Sequence, residues 1–210
     1  MTKKIGASLL VLVAGLLPSA GSQVEDCVAA VVNKRVITRI DLRIAGRFRL
    51  YSDDGGEESL ERLLDRLVEQ KLVVDIAREQ GVPGGEEIAA AVNALALTLG
   101  PEIFRKGLEE FGLEEVDLRP YVEEKLVFRK VIASRFSQSA PVTLQEIEAY
   151  YQDVYVPARK REGTVPPPMI QVLDRIEALI QDEKREEQIA AWIGNLKAQA
   201  DIRINRDCLK

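Results

Sequence analysis

VAAVVNKRVITRIDL, residues 28–42, is the stretch on which the reading of the chain turns. Small and β-branched residues run from Val28 to Val32, break at Asn33-Lys34, and resume as Arg35-Val36-Ile37. Asn accepts the left-handed backbone that a two-residue turn demands, so the pattern predicts a tight hairpin. Thr38 then stands three residues ahead of Asp41, the spacing at which a hydroxyl and a carboxylate cap a helix start. A helix of about 12 residues is expected from there to the loop at Ser52-Asp53-Asp54-Gly55-Gly56.

Working outward, the far end of the chain reads Asp201-Ile202-Arg203-Ile204-Asn205, an alternation of strand period. A lone strand leaves its backbone groups unpaired, and the hairpin at 28–37 is the one candidate partner. The two ends of the chain are therefore expected to meet in one small sheet. Cys27 and Cys208 lie just outside the first and last strands. Antiparallel pairing of those strands would bring the two thiols together as a disulfide; the alternative is two free thiols on frayed termini.

Helical patterns fill the interval. Leu60, Leu63, Leu64, Leu67, Val68, Leu72 to Val74, Ile76 and Ala77 recur at helical spacing before Gly81 and Pro83. EEIAAAVNALALTL, residues 86–99, starts on two carboxylates that suit the positive end of a helix. Gly100-Pro101 breaks that helix and opens a short one to Phe111. Residues 114–136 are helical in pattern, with Pro120 expected to kink or split them. Thr143 and Glu146 form a capping box ahead of the next helix, at whose end Tyr150, Tyr151 and Tyr155 cluster. A basic, Pro-rich connector is expected over 152–168, then a long charged helix from about Met169 to Ala200. The fold class is thus mainly α, a multi-helix core with a small antiparallel sheet.

Composition narrows the chemistry. The 210 residues include no His, two Cys, 29 Lys and Arg, and 34 Asp and Glu, for a net charge of −5. Without His there is no Ser-His-Asp or Cys-His nucleophile system and no His-ligated zinc or iron site. Two Cys cannot supply a four-thiolate metal site, and no Gly-rich phosphate loop suggests a nucleotide, so no cofactor is expected. An acidic balance argues against nucleic acid as a partner. Acidic pairs such as Glu123-Glu124 and Glu186-Glu187 read as solvated helix faces rather than catalytic carboxylates.

Residues 1–22, MTKKIGASLLVLVAGLLPSAGS, carry Lys3 and Lys4, a 13-residue uncharged run from Ile5 to Leu17, and small residues after it. That is the layout of a secretory signal peptide. Thirteen apolar residues make a helix of about 20 Å, short of a ~30 Å hydrocarbon core, so cleavage is expected to leave a soluble, exported chain without a stable membrane anchor.

The stretches VAAVVNKRVITRIDL (28–42), ESLERLLDRLVEQKLVVDIAREQGV (58–82), the pair Glu86-Glu87 and TLQEIEAYY (143–151) together resemble the non-catalytic core of the SurA-type periplasmic chaperones. EEQIAAWIGNLKAQADIRI (186–204) is similar to the segment that returns to complete that core. The resemblance implies a chaperone domain over 23–151 and a completing helix and strand over 169–210. The linker 152–168 would stand where the family carries parvulin prolyl isomerase domains. That interval is far too short for a parvulin domain, and the His usual in its active site is missing, so isomerisation is not expected. The implied function is ATP-independent holding of unfolded exported proteins, those of the outer membrane among them, in the periplasm. The rival readings are a scaffold for one dedicated envelope partner and a degenerate prolyl isomerase.

The helix at 86–99 is apolar or small on almost every face, so it is either buried all round or lines a groove for client chains. Candidate client-binding residues are Leu95, Leu97, Leu99, Ile103, Phe104 and Phe111, with Tyr151 as an aromatic contact for extended peptides. No catalytic or metal-ligating residue is expected.

Overall fold

The computed structural model describes residues 26–51, 59–77, 83–138 and 140–210. The expected signal segment 1–22 and the loop 52–56 lie outside them. Strands β1 (Val28–Val32) and β2 (Arg35–Thr38) form the hairpin, with Asn33 in the left-handed conformation at φ 55°. β3 (Ile202–Ile204) pairs antiparallel with the other edge of β1, giving the order β2-β1-β3. Ala30 stands opposite both Ile37 and Ile204. Asn33 fastens the ends further: its N–H donates to the Asp201 carbonyl at 2.8 Å, and its Oδ1 accepts from the Asp201 N–H at 3.2 Å. Beyond the strands, Cys27 and Cys208 form a disulfide with Cα atoms 5.9 Å apart, joining residues 181 positions apart in sequence.

α1 (Arg39–Arg47) starts as its sequence requires. Thr38 Oγ1 accepts from the Asp41 N–H, and Asp41 Oδ2 accepts from the Thr38 N–H at 2.8 Å. α2 (Leu60–Ala77) lays Leu63, Leu64, Leu67 and Val68 against the inner face of the sheet, where Ala30, Val32 and Ile37 are fully buried. α3 (Gly85–Leu99) and α4 (Pro101–Phe111) meet at Gly100, φ 88°, with axes bent by 110°. Gly107 lets α4 settle on Phe48, since a Cβ there would lie 3.0 Å from that ring. The Phe48 and Phe104 rings meet edge-on, centroids 5.6 Å apart.

Of the two outcomes expected at Pro120, a kink or a split, the structure shows the split. A 3₁₀ turn at Glu115–Leu118 precedes α5 (Arg119–Arg135), so the proline falls in the first turn, where helix N–H groups have no intrahelical acceptor to lose. α6 (Leu144–Tyr150) is capped by Thr143 and Glu146 and continues through a π-helical turn at Tyr151–Tyr155 into α7 (Val156–Arg161). The stretch read as a connector over 152–168 is therefore helical as far as Arg161. Pro157 is again a first-turn proline, which spares the helix.

α8 (Leu173–Gln199) holds the two parts of the chain together. Its first half buries Ile176 and Ile180 with Ile147 of α6, Tyr155 and Val172 in a second apolar cluster. Its second half returns along α2, where Lys197 pairs with Glu69 at 2.8 Å, and delivers β3 to the sheet. The result is the mainly helical fold with a small three-stranded antiparallel sheet that the sequence leads one to expect. No single helix among the described residues is long and apolar enough to cross a membrane.

Candidate functional site: a cleft along α5

α5 packs between α2 and α3 and leaves a hollow on each side of itself. The hollow toward α2 has a volume of about 320 Å³ and is lined by Leu50, Tyr51, Gln70 and Phe128 with Arg66, Glu69, Lys125 and Arg129. The hollow toward α3, about 330 Å³, is lined by Ala91, Ala94, Leu95 and Thr98 of α3, Val122 and Leu126 of α5, and Arg49. Leu50, Lys125 and Arg129 border both, so the two hollows adjoin; we call them the two lobes of a cleft along α5. Each lobe accommodates one or two medium side chains of a bound peptide. The floor is mainly aliphatic and aromatic, while the charged rim is mostly positive.

The walls are braced from behind. Glu124 of α5 accepts from Arg35 Nη1 at 3.0 Å, from Lys71 Nζ at 2.7 Å and from the buried Gln70 amide at 3.2 Å. Arg35 Nε also donates to Asp75 at 2.7 Å. The hairpin, α2 and α5 thus share one polar network about four-fifths shielded from water. Tyr121 of α5 donates its hydroxyl to Asp41 of α1 at 2.7 Å. Burial first, and then this carboxylate, pushes the Tyr121 phenol well above its usual range. Among the described residues the buried Tyr51 hydroxyl has no hydrogen-bond partner, and burial raises its pKa in the same way. Among the described residues no group of three or more His, Cys, Asp or Glu is placed to hold a metal ion.

The residues singled out in the sequence do not gather at one place. Leu95 is half-buried and lines the cleft. Leu97, two positions on and hence on the opposite side of α3, is 77% exposed. Ile103 is exposed in the first turn of α4. Leu99 and Phe104 are buried in the main core. Phe111 packs at the edge of that core beneath the Arg43 guanidinium, 5.2 Å from its ring centre. Tyr151 belongs to the second cluster, its ring stacked on Tyr155 and its hydroxyl donating to the Pro167 carbonyl at 2.8 Å. Of the residues lining the cleft, sequence reasoning singles out Leu95 as a site residue; among those it misses are Arg49, Tyr51, Lys125, Phe128 and Arg129. A signal existed for two of them: Lys125 and Arg129 are four apart and share a helix face with Val122.

No family model matches the chain. In an alignment 156 positions long that covers 70% of this chain, the sequence is 28% identical to Chaperone SurA of Chromohalobacter salexigens. The chain is SurA-like over that stretch. The match takes in 36% of the relative, so the chain spans little more than a third of the length of the curated protein it matches.

Proposed function

We propose that the chain is an ATP-independent chaperone of the periplasm, holding unfolded exported proteins, outer-membrane proteins among them, in the cleft along α5, without isomerase activity. The observation that carries this reading is an open, apolar-floored cleft on braced walls in a chain that is SurA-like in sequence. A rigid scaffold under an aliphatic surface suits a binder of many sequences, because contacts with Leu, Val and Ala impose few directional demands. The signal-like segment at 1–22 supports export, and the absence of His from the sequence supports a role without the parvulin reaction.

The mechanism is mass action. Reversible capture of exposed segments lowers the concentration of free aggregation-prone chains without an energy source. The test is dilution of a urea-unfolded outer-membrane β-barrel protein into buffer with increasing amounts of residues 23–210, followed by light scattering. Suppression of scattering near equimolar ratio, without ATP, is the expected result. No suppression with several clients would overturn the reading in favour of a scaffold for one partner.

A further inference from the structure

Arg49 occupies the turn that ends α1, in the left-handed conformation at φ 48°. Its N–H bonds to the Gly46 carbonyl at 3.1 Å and the following N–H bonds to the Ala45 carbonyl at 2.9 Å. Helices that close with this pair of bonds ordinarily place Gly at that position, because any Cβ there crowds the next carbonyl. The requirements of the turn therefore do not account for an arginine. The side chain does have a place in the cleft, where it lines the lobe formed by Leu95 and Thr98 of α3 with Val122 and Leu126 of α5. Arg129 borders the same lobe from α5. Neither guanidinium makes an ion pair among the described residues. In a chain of net charge −5, two exposed arginines lining an apolar hollow, without an ion pair among the described residues, are a local reversal of sign.

We infer that the cleft recognises a carboxylate set within an apolar segment. Arg49 and Arg129 take an Asp or Glu side chain of the bound chain, while Leu95, Val122 and Leu126 take the apolar side chains on either side of it. Guanidinium groups fit carboxylates with two parallel hydrogen bonds, and an aliphatic floor strengthens the pair by excluding water. The inference rests on the chaperone reading and narrows it, naming which segments of an unfolded client are held.

The test is fluorescence anisotropy of the mature chain with two rhodamine-labelled peptides, Gly-Leu-Leu-Glu-Leu-Leu-Gly and its Gln counterpart. At low salt the Glu peptide is expected to bind about fivefold more tightly, the size of one surface ion pair. The preference should fall toward unity in 0.5 M NaCl. Arg129→Gln and Arg49→Gly are each expected to remove the preference while leaving the Gln peptide's affinity unchanged. Arg49→Gly should melt no lower than the parent, since glycine relaxes the turn, so its loss of preference will not be a loss of fold; if it does melt lower, Arg129→Gln decides. Equal affinity for the two peptides, or a preference that survives in both variants, overturns the inference. So does a preference that emerges only after Asp53, Asp54, Glu57 and Glu58 are replaced by Ser, which would give the two cations to the chain's own acidic stretch. Suppressed client aggregation with no difference between peptides sinks the carboxylate preference alone; no suppression and no peptide binding sinks both readings.

Discussion

Reduction of the Cys27–Cys208 bridge has an effect that can be worked out from its position. The bridge joins residues 181 apart and encloses almost the whole described chain. A cross-link of that span removes roughly 5 kcal/mol of loop-closure entropy from the unfolded state in the chain-entropy treatment, and bridges in practice deliver about 2–4 kcal/mol. Oxidised and reduced forms of the same sequence differ only in the link, so their difference isolates this effect. In a C27A/C208A variant the sulfur of the buried Cys208 is lost as well, at a further cost of ~1 kcal/mol. The assay is urea unfolding at pH 7 and 25 °C, followed by far-ultraviolet circular dichroism, for the oxidised chain, the reduced chain and the variant. The reduced chain is expected to be less stable by about 2–5 kcal/mol, with a steeper dependence on urea because its unfolded state exposes more surface. A reduced chain within ~0.5 kcal/mol of the oxidised one, with an unchanged slope, would refute the reasoning.

Three further outcomes are expected. Glu124→Ala leaves Arg35, Lys71 and Gln70 without their shared acceptor and should cost about 2–3 kcal/mol, the buried-pair value reduced for partial exposure; adding Lys71→Met to that variant should cost little more by urea unfolding. Glu146 is held down to a pKa of about 2, mainly by the Lys184 ammonium and then by the Thr143 N–H and hydroxyl. A carboxyl with a lowered folded-state pKa stabilises the fold above its unfolded value near 4.3 and loses that effect as the pH falls toward 2, so Glu146→Gln should flatten this part of the acid limb in thermal melts. Leu99→Ala and Phe104→Ala open cavities in the main core and should each cost about 2–5 kcal/mol, whereas Leu97→Ala should stay within ~0.5 kcal/mol by urea unfolding.

The frame of the fold was legible because its signals are local and redundant. Asn33 marks the hairpin turn, Thr38 with Asp41 and Thr143 with Glu146 mark two helix starts, and a strand with no neighbour at 202–204 has only the hairpin to pair with. The Cys27–Cys208 bridge follows from the same pairing. The sequence leaves open whether Pro120 kinks or splits its segment, and the Pro-rich stretch 152–168 reads as a connector although α7 runs through its first part, because a proline looks the same in a first turn as in a helix interior; only the start of the helix tells them apart. The face of α3 was illegible for another reason. With Ala at 89, 90, 91, 94 and 96 the helix has no polar side to mark the outside, and Leu95 and Leu97 look equivalent until α5 is in place. One side of the lobe toward α3 is formed by Arg49 standing in a glycine position, and a turn that carries Arg there gives no turn signal in the sequence.

The central claim is that unfolded chains sit along α5, and site-specific photo-crosslinking reaches it most directly. A benzoylphenylalanine at position 94, whose alanine is exposed and lines the cleft, and another at position 165, whose valine is 91% exposed beyond α7, give two exposed reporters. Each is irradiated with the same urea-diluted β-barrel protein. The account predicts covalent adducts from position 94 and little or none from position 165. Equal yields from the two, or adducts mainly from 165, would contradict it.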